Sequence, residues 1–242
     1  MIVYWSKYLS EVSEVKKNNI ERLARGYDLT VNPPQSLYQY LISNYDLRNK
    51  LGNYVLCPAA LNELKSTYYI TSDINYHFYF ENNEVKSDMY DQKMFDNVLQ
   101  RENDTLFFFN FYTIMYSEVP CKVIQIPPYL HKTTFSRGNC LSVSASMDIS
   151  KWFRPMHGVY MNDEKSPFQI QAMDPLYYVK FETQEKIEFK EFNMNQNLFD
   201  LSLNCTNYKK FHPRSGLKKL YNKFIERKYG KRIMKEIKEN IV

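Results

Sequence analysis

Along the middle of the chain hydrophobic and polar residues alternate with a period of two, and towards both ends the spacing lengthens to that of a helix. Residues 68–80 place Tyr68, Ile70, Ile74, Tyr76, Phe78 and Phe80 on one side, with Tyr69, Thr71, Asp73, Asn75, His77 and Tyr79 on the other. That pattern predicts one strand with a core face and a solvated face. Residues 106–116 (LFFFNFYTIMY) are apolar on both sides, as a strand at the centre of a sheet is. Residues 119–126 follow closely enough to be its antiparallel neighbour, and Pro127-Pro128 ends them. Residues 141–149 predict another strand, in which Ser142, Ser144, Ala145 and Ser146 suit a tight sheet interface. Residues 152–192 then read as a β-meander. Its 176–181 stretch is aromatic and β-branched, Asp174-Pro175 suits a strand entrance, and Ile187 and Phe189 alternate with Lys186, Glu188 and Lys190 after a short polar connection at 182–185.

Helical signals flank this centre. Residues 11–25 carry Val12, Val15, Ile20 and Leu23 among charges, and Ser36 is a fitting N-cap for a helix holding Leu37, Tyr40, Leu41 and Tyr45. Pro58 after Cys57 opens a helical turn. Near the end, Leu217, Leu220, Tyr221, Phe224 and Ile225 make one apolar stripe, continued by Ile233, Ile237 and Ile241 beyond Gly230. The fold class is therefore α+β, a predominantly antiparallel β-sandwich-like domain with N-terminal helices and a basic C-terminal helical tail. Residues 1–208 are expected to form the β-rich globular domain, and residues 209–242 a basic amphipathic helical extension.

Charge sharpens that division. Residues 209–242 hold twelve Lys and Arg against three Glu, a net +9 within a chain of net +5, which leaves −4 for the first 208 residues. A mean hydropathy of −0.55 and the lack of a long apolar run exclude a membrane span. The opening MIVYWSKY has no basic stretch followed by an apolar one, so no signal peptide is expected and the protein reads as soluble and cytoplasmic. Cys57, Cys121, Cys140 and Cys205 lie far apart without a CxxC pair and read as buried thiols.

Asn32-Pro33-Pro34, Cys57-Pro58-Ala59, Pro127-Pro128-Tyr129-Leu130-His131, Phe153-Arg154-Pro155 and the run Asp174-Pro175-Leu176-Tyr177-Tyr178-Val179-Lys180-Phe181 occur in that order. Their arrangement resembles the landmarks of a family of uncharacterised proteins encoded by tailed phages of marine bacteria, of the cyanophage type. The resemblance covers residues 30–200 and leaves the basic tail outside. It implies a phage gene product acting in the infected bacterial cytoplasm or carried in a virion, and it brings no catalytic residues.

Candidate chemistry is sparse. His131, His157 and a carboxylate, Asp174 or Asp148, could make the two-histidine, one-carboxylate face that holds non-haem iron on a β scaffold, although no close HxD or HxE pair accompanies them. Satisfied or surface histidines are the plainer reading. Cys57 could act as a nucleophile with His77 or His131 as base, its thiol set at a helix N-terminus. Arg154 pairs naturally with Asp174, or binds an anion. In the tail, Lys218, Lys219, Lys223, Arg227, Lys228, Lys231 and Arg232 offer a face for a protein partner, phage or host, with nucleic acid as the alternative through phosphate contacts and stacking tyrosines. Walker, GxSxG, HExxH and glycine-rich phosphate motifs are missing, and no cofactor is implied. The expected function is a non-enzymatic binding protein, either a virion or assembly component or a factor that engages a host protein. A metal-dependent β-sandwich enzyme and a nucleic-acid binder are the alternatives.

Overall fold

In the computed structural model, which describes residues 1–7, 31–44, 57–72, 75–82, 84–88, 99–101, 105–131, 133, 141–162, 166–206 and 216–242, the apolar run LFFFNFYTIMY forms β7 (Leu106–Tyr116). A six-stranded sheet is built around it. β11 (Pro155–Met161) lies antiparallel along one flank of β7. The other flank is shared by β1 (Ile2–Lys7) and β6 (Leu99–Arg101). β14 (Glu188–Glu191) runs parallel to β1 at one edge, and β9 (Leu141–Ser142) pairs with β11 at the other. A second sheet takes the order β10 (Ala145–Asp148), β8 (Lys122–Ile126), β13 (Pro175–Phe181), β3 (Thr67–Thr71) and β2 (Gln35–Ser36). A third holds β12 (Phe168–Ile170), β4 (Tyr76–Glu81) and β5 (Glu84–Lys86). The β1–β14 pair is the parallel one among these ladders, so the chain is a mixed α+β protein with mostly antiparallel sheets.

Four sequence expectations differ from the structure. The strand predicted over 68–80 is two strands, β3 and β4, in different sheets. The chain leaves the second sheet at Ser72, whose N–H donates to Asp174 O (3.2 Å) and whose carbonyl accepts Met173 N–H (2.7 Å). β8 pairs with β10 and β13 rather than with β7. The meander is not one: β11, β12, β13 and β14 are spread over three sheets, and no hairpin joins β13 to β14. After β13 the chain crosses to β1, where Glu188 N–H donates to Met1 O (3.0 Å) and the Met1 amino group donates to Lys186 O (2.8 Å). Alternation records which face of a strand is buried and carries no information on which strand lies beside it. The 141–149 strand likewise divides into β9 and β10, and Ser144, Ala145 and Ser146 are exposed there, not pressed into a sheet interface.

The faces of the strands set the cores. Val3 and Trp5 of β1, Met115 of β7 and Tyr160 of β11 are buried in one cluster with Ile70, Val123, Tyr177 and Val179 of the second sheet and Phe78 of the third. Tyr4, Ile114 and Tyr116, at the intervening positions of β1 and β7, turn to the opposite face of the first sheet. There they meet Phe153, Phe192 and the helices α3 (Gln196–Thr206), α4 (Leu217–Glu226) and α5 (Gly230–Glu239). On the second sheet Tyr69 and Tyr178 face away from the shared core and pack on Leu37 and Leu41 of α1 (Leu37–Asn44) and Leu64 of α2 (Pro58–Lys65).

The caps explain the helices. Ser36 Oγ accepts Gln39 N–H at 3.3 Å, the cap expected for α1, and Pro58 starts α2. α3 is not foreseen from the sequence: Asn195 Oδ1 accepts Leu198 N–H (2.9 Å), and Leu198, Leu201, Ser202 and Cys205 form its buried stripe. α4 ends at Glu226 with Arg227 as its C-cap, and the next residue, Lys228, holds a left-handed φ of 54°. α5 buries Ile233, Met234 and Ile237, and beyond it Val242 N–H donates to Glu191 O (3.1 Å), tying the last residue to the end of β14. The helix expected at 11–25, and the 208/209 boundary of the tail, lie outside the described residues. Among the described residues no helix is long and apolar enough to cross a membrane.

Candidate functional site

His131, first among the sequence candidates for a metal, sits in an aromatic box outside β13. Its ring stacks on Tyr40 with centroids 4.0 Å apart and tilts against Tyr69 at 5.0 Å. The Tyr178 hydroxyl accepts Leu130 N–H (3.2 Å) and is in hydrogen-bond contact with His131 Nδ1. The hydroxyl can accept from a protonated Nδ1 or donate to a bare one, so this contact engages Nδ1 in either tautomer. Burial holds His131 down at about 4, against a smaller upward pull from Asp174, so the ring is neutral at pH 7. The same burial raises the Tyr178 phenol.

Asp174 is thus in electrostatic reach of His131, and its carboxylate also accepts Gln171 N–H at 3.3 Å. His157, described by its backbone alone, falls where the register of β11 on β7 shifts between Met156 and Gly158. Among the described residues no group of three His, Cys, Asp or Glu side chains is placed to hold a metal. Asp148 serves a turn: burial opposes its ionisation, but Lys151 and Ser150 outweigh that and hold its carboxyl below the ordinary value. Cys57 is exposed at the N-cap of α2, not buried as expected. The bases proposed for it have other neighbours, His77 in Asp88 (3.0 Å) and His131 in Tyr178. Cys121 and Cys205 are buried, and burial pushes their thiols up to about 11 and about 12, far from the range of a nucleophile. Cys140 lies outside the described residues.

Arg154, which the sequence pairs with Asp174, turns its guanidinium to α4. Nη1 donates to the Tyr221 hydroxyl, and the charge lies 5.5 Å from the Tyr221 ring centroid. Trp152 stacks on the same ring at 4.7 Å. These groups and Gln125, Met147 and Met156 line a cavity of about 260 Å³. The contact fastens α4 to the first sheet.

The basic residues of the tail are brought together on the outer side of α4 and α5. Lys218, Lys219, Arg227, Lys228, Lys231 and Arg232 are exposed, and Lys223 is half-buried. Among the described residues Lys218, Lys219, Lys223, Lys228, Lys231 and Arg232 take part in no ion pair, whereas Lys235 reaches Glu239 (3.8 Å) and Lys238 reaches Glu118 (3.1 Å). Lys209, Lys210 and Arg214 lie outside the described residues.

Along one side of α5, from its first residue to its last turn, runs a groove of about 480 Å³ whose lining includes Tyr116, Glu118, Gly230, Lys231, Lys235 and Lys238. Tyr116 is 3% exposed, and its hydroxyl has no hydrogen-bond partner among the described residues. Burial, with Asp148 and Glu118 adding to it, pushes the phenol up to about 12, which keeps its proton in place at neutral pH. Sequence reasoning missed this residue because nothing marks one tyrosine among 21. Gly230 was the available signal: it is one of six glycines and interrupts a strongly basic stretch. No protein-family model matches the chain, and no curated protein is similar to it in sequence.

Proposed function

We propose that this chain is a non-enzymatic binding protein, phage-encoded, whose working surface is the outer face of α4 and α5. The setting follows from the resemblance of its ordered motifs to proteins of marine tailed phages, and it covers either a virion or assembly component or a factor that engages a host protein. The two large sheets serve as a sandwich-like platform, since a single buried cluster joins Val3, Trp5 and Met115 on one to Ile70, Val123 and Val179 on the other. One observation carries the reading: the apolar stripe of α4 and α5 is spent on the first sheet, which leaves Lys218, Lys219, Lys228, Lys231 and Arg232 exposed, without ion-pair partners among the described residues, on a firmly seated support. An acidic protein is the complementary partner, and such surfaces steer encounter as well as hold.

The test is site-specific crosslinking from Lys219, with exposed Met173 as a distant control position. A single protein captured from infected cells through Lys219, absent at Met173 and lost when Lys218, Lys219, Lys228 and Arg232 are changed to Glu, is the expected outcome. Equal capture from both positions overturns the reading. Binding to DNA that weakens steeply as salt is raised would replace it with the nucleic-acid alternative. The iron alternative, with His131, His157 and Asp174 as ligands, requires stoichiometric metal in the purified protein and a Nδ1 freed from Tyr178, or ligation through Nε2.

A further inference from the structure

We infer that the Gly230 end of the groove along α5 is a binding site for a terminal phosphate group, free or as a monoester. Four features converge on it. No side chain caps α5, so the amide N–H groups at its first turn, where the positive end of the helix dipole lies, have no side-chain acceptor. Tyr116 brings a protonated hydroxyl to this groove: the residue as a whole is buried, its oxygen opens onto the groove, and no described residue accepts from it.

Gly230 is the third feature. A Cβ built on it would stand 3.2 Å from the Tyr116 hydroxyl, so a side chain there would crowd the donor and narrow the groove. Glycine is a poor choice for the first position of a helix on propensity alone, and close approach of another group is the reason it is tolerated. The fourth is charge. Lys238 is committed to Glu118 and Asp148 to Lys151, while Lys235 is only loosely held at 3.8 Å from Glu239 and Lys231 has no acidic partner among the described residues. Local balance is therefore cationic, and the hydroxyl at the floor favours an oxyanion that projects inwards over a diester flanked on both sides by sugar.

This site shares Lys231 with the surface proposed for the acidic partner but does not depend on it, since it is a cradle for one anion. Its test uses the whole chain, labelled with nitrogen-15, at constant ionic strength, titrated with inorganic phosphate, with phosphoserine and with a dithymidine carrying one internal phosphate. The Gly230 and Lys231 amide signals should shift saturably with the first two probes, with Kd about 1 mM, and not with the diester. Tyr116→Phe should weaken phosphate at least about fivefold through loss of one donor to an anion. Gly230→Ala should abolish the shifts without lowering the thermal midpoint, because alanine is the better helix former. Shifts reproduced by chloride, unaffected by these two variants, or equal for the diester would overturn the inference.

Discussion

Two buried tyrosines occupy comparable places on the two large sheets and differ in what their hydroxyls do. Tyr178 on β13 turns out of the shared core toward α1 and α2, as Tyr116 on β7 turns out toward α3, α4 and α5. The Tyr178 oxygen is filled from both sides, by Leu130 N–H and by His131, inside a shell of Tyr40, Tyr69 and Tyr129 rings. Tyr116 has an edge-on neighbour in Phe153 at 5.6 Å and a hydroxyl that ends in a groove lined by Lys231, Lys235, Lys238 and Glu118. A buried hydroxyl whose roles the protein itself fills locks a structure, and one that opens onto a groove without a described partner is free to meet a ligand. The more conspicuous cluster in the sequence, around His131, is packed and hydrogen-bonded within the protein, and the less conspicuous is the one proposed to bind.

The comparison assumes that α5 is as much a part of the body as α1, and this assumption gives the largest effect. Deleting residues 216–242 would strip the cover from Tyr4, Ile114 and Phe153, and the truncated chain should be insoluble or lack near-UV circular dichroism. A soluble, cooperatively unfolding product would instead make the helices a separable extension. At the scale of one side chain, Ile237→Ala should cost about 2–5 kcal/mol in urea unfolding, as the site is fully buried between helix and sheet.

Next in size is the direct contrast. Tyr178→Phe leaves Leu130 N–H and His131 Nδ1 without their partner and should cost about 1–3 kcal/mol. Tyr116→Phe loses no hydrogen bond and should stay within about 0.5 kcal/mol of the parent. Equal losses would erase the distinction between them.

How much of this was legible from the sequence depends on the range of the signal. Ser36 as a cap, Pro58 as a helix start, the place of 106–116 inside a sheet and the apolar stripe of α5 are local and were readable. Sheet membership was not, because strands next to each other in the chain, such as β13 and β14, pair with remote partners. α3 was hidden by its asparagines, which are weak helix formers, although Asn195 as a cap ahead of Leu198, Leu201 and Cys205 would have revealed it. The cationic face was plain in composition, yet which hydroxyl lies beneath it depends on β7 passing under the start of α5, a contact between residues 114 positions apart in number, Tyr116 and Gly230.

A smaller effect is the pH dependence of the His131 box. Its folded value near 4 lies below the ordinary 6.5, so in that interval the unfolded chain binds the additional proton and stability falls as pH is lowered. Asp174 softens the slope by attracting the charged form, and above 6.5 the histidine adds none. Urea midpoints at about pH 7 and about pH 5 should differ less in His131→Asn than in the parent. The smallest change concerns the join between α4 and α5. Lys228 holds a φ of 54°, and Lys228→Gly should stabilise by up to about 1 kcal/mol, read as a higher thermal midpoint.

The most direct measurement is the thermal midpoint of the parent and of Tyr116→Phe with and without inorganic phosphate at matched ionic strength. A ligand that binds only the folded chain raises its midpoint. The parent should be stabilised by phosphate and the variant, equally stable without it, should gain distinctly less. The same gain in both proteins would show that the Tyr116 hydroxyl holds nothing, and the contrast with Tyr178 would lose its meaning.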